Sequence, residues 1–285
     1  MTRRSLHIGL NHVDPHAYGG WDGALSGCIN DANSMQQVAL SRGFEPEQLI
    51  DGQATADSVR RRLDAAANEL TEGDFFFLTY SGHGGQVVDM NADEQDSLDE
   101  TWCLFDTELV DDSLYGALCA FQPGVRIFVM SDSCHSETVT RAPVARAREE
   151  RAAAVDGRAK RAPLDVTLRE FEAHKDDYTA QQKWWKPVRT PKDAAASVVL
   201  IAGCKDDETS MDGPVNGAFT AAFLDVWGNG DYQGDYEQLA QEVRAKLDGT
   251  GQTPSIFFYG ANVTQMLAET PLGELSQTSG AAPIG

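Results

Sequence analysis

Residues 125–136 read VRIFVMSDSCHS, an apolar, β-branched run that breaks off in Asp132, Ser133, Cys134 and His135. Residues 74–85, DFFFLTYSGHGG, repeat the pattern and end in His83 between Gly82, Gly84 and Gly85. Short apolar runs bounded by turn formers are the mark of central strands in a parallel sheet. Open α/β sheets bind ligands beyond their strand ends, so a His on one tip and a Cys on the next predict a base and a nucleophile at one edge.

Outward from these strands the chain alternates between strand and helix. Residues 6–10 (LHIGL) and 44–50 read as further strands. Between them Ile29, Ala32, Met35, Val38 and Ala39 recur at helical spacing as far as Gly43, which puts Asp31 in a first turn near the strand tips. Val59, Leu63, Ala66, Ala67 and Leu70 mark one face of a second helix. The βαβαβ order predicts an α/β fold with a mostly parallel central sheet, helices on both faces and right-handed crossovers. Downstream, Asp112 is expected to cap a helix carrying Leu114, Tyr115, Ala117, Leu118 and Phe121. Residues 197–204 resume the sheet, 218–227 form a helix, Asp235 with Gln238 opens another through a capping box, and 255–259 form the last strand. No internal repeat is present.

The chain has 285 residues, 41% of them hydrophobic, and a net charge of −21. This fits one α/β domain with insertions. The charge argues against nucleic acid or an anionic membrane as partner and favours Lys/Arg-bearing chains or metal ions. Five scattered cysteines without a CxxC pair predict neither a disulfide framework nor zinc, and place the protein in a reducing cytoplasm. MTRRSLHIGL lacks the apolar core of an export signal, and no later run is long enough to span a membrane. Residues 89–112 hold ten acidic residues and no Lys or Arg. That stretch reads equally as a solvated acidic loop, with a hairpin at 101–105, or as a hard-cation site, although its spacing is not that of an EF-hand.

A thiol attacks a peptide only as thiolate, so Cys134 needs a neighbour that takes its proton, and His83 is placed to be that neighbour. The glycines around His83 let a substrate backbone approach, and the N–H groups of Gly84 and Cys134 are the candidate oxyanion donors. Cys28, Cys103, Cys119 and Cys204 read mainly as small buried hydrophobes. His135 is a competing base, but strand alternation turns it away from Cys134 and puts Asp132 on the nucleophile's side. Asp31 reads as a favourable helix-N-terminal charge, worth about 0.3–1 kcal/mol, or as a second pocket carboxylate. Two such carboxylates would select Arg or Lys.

YSGHGG (residues 80–85) together with DSCHS (132–136) resembles the metacaspases, including the bacterial orthocaspases. GCINDA (27–32), DMNADEQDSLDE (89–100) and GCKDDETS (203–210) extend the resemblance over most of the chain. The QAC[RQG]G pentad of caspases is absent, so Asp specificity is not expected. The resemblance implies a caspase-like three-layer sandwich over residues 1–268 and a catalytic dyad of His83 and Cys134 that cleaves after Arg or Lys. It implies an S1 pocket of Cys28, Asp31, Ser81 and Asp132, with Asp207 in its wall. No cofactor is required for the chemistry. Calcium is expected as a modulator at Asp99, Asp111 and Asp112. The chain departs from the family at two positions: Arg141 stands where a further calcium aspartate falls in an ungapped reading, and Glu137 replaces a Gly.

Residues 141–195 carry 13 basic and 9 acidic residues, a net +4 that leaves −25 for the remainder. They read as an insertion, mostly a solvated linker, with basic side chains able to dock on the acidic body. By the resemblance, Arg141, Arg146, Arg148, Arg151, Arg158, Lys160 and Arg161 are self-cleavage candidates. Residues 269–285 read as a disordered tail. The expected protein is a monomeric, cytoplasmic cysteine endopeptidase acting on basic peptides. Two rival readings are a catalytically silent caspase-like interaction module and a calcium-binding regulator.

Overall fold

A computed structural model describes residues 1–88, 98–134, 159–181, 183–185, 194–205 and 208–273. Its centre is a six-stranded sheet built from β1 (Arg3–Gly9), β2 (Glu45–Ile50), β3 (Phe75–Ser81), β7 (Arg126–Asp132), β8 (Ser197–Ala202) and β9 (Ser255–Gly260), in the order β2-β1-β3-β7-β8-β9. All neighbours are parallel except β8 and β9. The alternation anticipated this arrangement, with β9 returning as an antiparallel edge.

Strand alternation divides the core into two layers. Phe76, Leu78, Ile127 and Val129 face α2 (Ala56–Glu69) and α3 (Asp111–Cys119), against Val59, Leu63, Ala66 and Ala117. Phe75, Phe77, Phe128 and Met130 face α1 (Cys28–Ser41), against Met35 and Val38, and pack on two later helices described below. Removing one buried ring such as Phe77 would cost about 3–5 kcal/mol. The same parity carries Ser81 and Asp132 onto the α1 side of the sheet, and register pairs them at the tips of β3 and β7.

Several local expectations change. Helix α3 begins at Asp111 with Val110 as N-cap and no side-chain cap, so Asp112 sits in the first turn instead of capping it. The hairpin expected at 101–105 is part of a three-stranded antiparallel sheet of β4 (Gly84–Val88), β5 (Leu98–Cys103) and β6 (Glu108–Val110). The insertion is not a solvated linker throughout. Its helices α4 (Leu164–Ala173) and α5 (Lys175–Gln181) pack Phe171 and Tyr178 against Val87 and Val110 of the small sheet. Thr167 donates to Gln86 O at 2.8 Å, and the Tyr178 hydroxyl donates to the buried Glu108 carboxylate at 2.8 Å. The charge bias of the segment hid this amphipathic pattern.

Helix α6 (Ala218–Trp227) and helix α7 (Tyr236–Lys246), the latter opened by the expected Asp235/Gln238 capping box, complete the second layer, followed by α8 (Val263–Leu267). Leu272 is buried in that layer, so order reaches Gly273, past the expected onset of the tail. Among the described residues no helix is long and apolar enough to cross a membrane.

Candidate active site

His83 stands one turn past the tip of β3, and Cys134 two residues past β7. Both are buried. The His83 Nε2 lies 3.0 Å from the Gly23 carbonyl, which assigns it the proton and leaves Nδ1 as the basic nitrogen. Trp21 stacks edge-on against the ring at 4.7 Å between centroids. Burial holds His83 down at about 4, so the imidazole is neutral at pH 7.

The glycines flanking His83 and the pocket wall are steric requirements. A Cβ on Gly84 would meet the Cys134 carbonyl oxygen at 1.7 Å, and one on Gly217 would meet the Asp132 carboxylate at 2.5 Å. Only hydrogen at these positions permits the approach.

Main-chain N–H groups of Gly84 and Cys134, the two expected oxyanion donors, converge on one oxygen at 3.0 and 3.1 Å. That oxygen is the carbonyl of Lys160. The stretch 159–162 therefore runs through the cleft as an extended peptide. Lys160 N donates to Ser210 O at 2.9 Å, Ala162 N donates to Gly84 O at 2.8 Å, and Ala159 bridges to Met211. The Arg161 backbone lies beside the His83 ring.

The Lys160 side chain is fully buried. Its Nζ lies 3.0 Å from Asp31 Oδ2, 3.0 Å from Asp132 Oδ2 and 2.9 Å from Ser81 Oγ, so all three ammonium protons have acceptors. The carboxylates are saturated in turn. Asp31 accepts from the Ser81 hydroxyl, from Asn216 and from Gly217 N, while Asp132 accepts from the Ser210 and Thr220 hydroxyls. Burial alone would lower the Lys160 ammonium, but Asp132 and Asp31 outweigh it and keep the charge in place. Burial also pushes Asp31 up, against the pull of Lys160; with four donors on its two oxygens it is read as ionised.

Cys134 is poised toward thiolate. Burial would raise its thiol, and this is outweighed by a hydrogen bond with the Cys204 thiol, by the Arg161 guanidinium and by the Ser210 N–H, 3.1 Å from Sγ. Cys204 is pushed well up by the same contact and by burial, and its thiol lies 3.4 Å from the Ser133 carbonyl.

The structure thus brings together His83, Gly84, Cys134, Asp31, Ser81, Asp132 and Lys160. Cys28 lies at the edge of the group, buried, with its thiol pushed up to about 12 by burial. Asp207 lies outside the described residues, as do His135, Arg141, Arg146, Arg148, Arg151 and Arg158. Sequence reasoning had Lys160 only as one cleavage candidate among several and Cys204 as a plain hydrophobe; it missed Ser210, Asn216 and Thr220 altogether. Cys204 carried a usable signal, because GCKDDETS follows the tip of β8 directly. Asp99, Asp111 and Asp112 lie near one another, but among the described residues no three His, Cys, Asp or Glu side chains are gathered as metal ligands.

The caspase-domain family matches residues 3–267. Metacaspase-1B of Aspergillus fumigatus is 31% identical, over 87% of this chain and 67% of that protein. Metacaspase-1 of Mycosarcoma maydis is also 31% identical, over 86% and 67%. Among solved structures, protein GSU0716 of Geobacter sulfurreducens is 40% identical with a TM-score of 0.85, covering 96% of this chain and 99% of that one. Caspase-1 of Spodoptera frugiperda, 11% identical with a TM-score of 0.52 over 96% and 90%, shares the fold. The chain belongs to the caspase-domain family of cysteine peptidases. The two fungal relatives named above are metacaspases.

Proposed function

We propose that this protein is a cysteine endopeptidase that cleaves after Arg or Lys and processes itself at the Lys160–Arg161 bond. The observation that carries the reading is Lys160 itself: its ammonium fills the pocket of Asp31, Ser81 and Asp132 while its carbonyl oxygen accepts from Gly84 N and Cys134 N. Cys134 Sγ attacks that carbonyl carbon, and the two N–H groups hold the developing oxyanion. His83 Nδ1 takes the thiol proton and returns it to the Arg161 nitrogen as the C–N bond breaks. Water then hydrolyses the acyl-enzyme, with His83 as base. An Arg side chain reaches the same carboxylates with a planar fork, so both basic residues are substrates.

Calcium is proposed as a modulator. Asp111 is pushed well up by burial and by Glu100, Asp99 and Asp112, a crowding of like charges that a hard cation held by Asp99, Asp111 and Asp112 would relieve by neutralising them. Binding there entails rearrangement, since these groups are not gathered as ligands among the described residues. Five unbridged thiols support a reducing compartment, and the net charge of −21 supports basic chains as partners in preference to nucleic acid or anionic membrane.

The test compares a fluorogenic Arg or Lys peptide with its Asp counterpart, for the native chain and for Cys134→Ala. Turnover of the basic peptides alone, lowered by at least about 10⁴-fold in the variant, is expected, together with a fragment ending at Lys160. Equal turnover of the Asp peptide would overturn the pocket assignment, and an active Cys134→Ala would overturn the dyad. Inertness of the native chain to peptides and to a thiol-directed reagent would favour the interaction module.

A further inference from the structure

The cleft also holds the two residues that follow Lys160, and their surroundings define primed subsites. The Arg161 Nη2 donates to the Glu208 carbonyl at 3.0 Å, and its guanidinium lies close enough to Cys134 to favour the thiolate. Ala162 is 4% exposed and packs with Val13, Tyr18 and Cys103, its N–H bound to Gly84 O. Tyr18 is fixed there by its hydroxyl, which donates to Leu104 O at 2.8 Å, and Val13 by its N–H on Asp22 O. Ala162 is thus buried in an apolar cluster, and a larger side chain at this position would have to push its neighbours aside.

We infer that this enzyme selects substrates on both sides of the cut: after the basic P1 residue it prefers a basic residue at P1′ and a small residue at P2′, so its substrate class is polypeptides carrying a dibasic-small motif such as Lys-Arg-Ala. The inference rests on the peptidase reading above. A P1′ cation meets a carbonyl oxygen on a body whose charge outside residues 141–195 is −25, and it stands where it stabilises the attacking thiolate. An acidic P1′ residue reverses both effects. A bulky P2′ residue must displace Val13 or Tyr18, which the surrounding hydrogen bonds resist.

The experiment uses the self-processed full chain. A Lys-coumarin amide, which has no primed residues, is assayed beside internally quenched peptides containing Ala-Lys-Arg-Ala, Ala-Lys-Asp-Ala and Ala-Lys-Arg-Trp. For cleavage after Lys, located by mass spectrometry of the products, kcat/KM is expected to favour Arg over Asp, and Ala over Trp, by about tenfold or more each. Ratios within about twofold, with the coumarin substrate turned over, would overturn the primed subsites and leave the Lys pocket standing. Failure to turn over the coumarin substrate would overturn the peptidase reading, and this inference with it.

Discussion

Two groups of buried or half-buried carboxylates in this chain meet different fates. Asp31 and Asp132, at the strand tips, share the ammonium of Lys160, a residue that reaches them from the insertion. Asp99, Glu100, Asp111 and Asp112, on the small sheet and the start of α3, lie in a stretch of sequence without Lys or Arg; there burial and like charges drive Asp111 up. A carboxylate taken out of water needs either a counter-charge or a proton. The first group shows what a pocket for a basic side chain looks like when filled. In the second, burial and the neighbouring carboxylates Glu100, Asp99 and Asp112 push Asp111 toward its protonated form. His7 is the mirror case on the basic side: buried in β1 and hydrogen-bonded to the Thr79 and Ser5 hydroxyls, it is driven down to about 3 by burial and stays neutral.

The largest effect should come from removing the counter-charge of the first group. Lys160→Met leaves Asp31 and Asp132 facing each other in a closed site, and should cost the uncut chain about 3–5 kcal/mol in denaturant unfolding while ending cleavage at residue 160. An unfolding midpoint equal to that of the native chain would break the contrast. Next, Asp132→Asn should lower kcat/KM for Lys and Arg peptides by about a hundredfold, or about 2.7 kcal/mol, while sparing an uncharged P1. An intact basic preference would show that Asp31 suffices alone.

Smaller again is the effect of His7. Its pKa is about 3 in the folded chain and near 6.5 when unfolded, so the unfolded state binds more protons over that window. Stability should therefore fall as pH drops from 6.5 toward 3, by up to about 1.4 kcal/mol per unit from this group. His7→Gln should flatten the slope; an unchanged slope in urea titrations at pH 6.5 and 5.0 would remove His7 as its source. The smallest effect is at Asp111, whose folded value is raised, so that its charge opposes folding once the pH exceeds the unfolded value. Asp111→Asn should stabilise the calcium-free chain at pH 8 by on the order of 1 kcal/mol and blunt any stabilisation by added calcium. A native chain whose melting temperature ignores millimolar calcium would remove calcium as the counter-charge of this region.

Much of this was legible in the sequence because it depended on periodicity. Apolar runs of strand length with helical faces between them fixed the order β1, β2, β3, β7 and β8, and parity along residues 125–132 put Asp132 on the nucleophile's side of its strand, while the structure shows that α1 covers this face. The capping box at Asp235 was readable because its partners lie three residues apart. Asp112 was misread as a cap because an acidic residue serves equally at the N-cap or in the first turn, and only backbone angles separate the two.

By itself the sequence determined the α/β fold, the shared edge of His83 and Cys134, and the net charge of −21. Each follows from local spacing or from a sum over the chain. Only tertiary structure decided which of the basic residues 141–161 occupies the pocket, that the Cys204 and Cys134 thiols are hydrogen-bonded, and that Ser210 and Thr220 hold Asp132. The physical reason is that Lys160 looks like every other cation of the insertion in sequence. What sets it apart is a three-point match of one ammonium to Asp31, Ser81 and Asp132, a match that exists only once distant strand ends have been brought together.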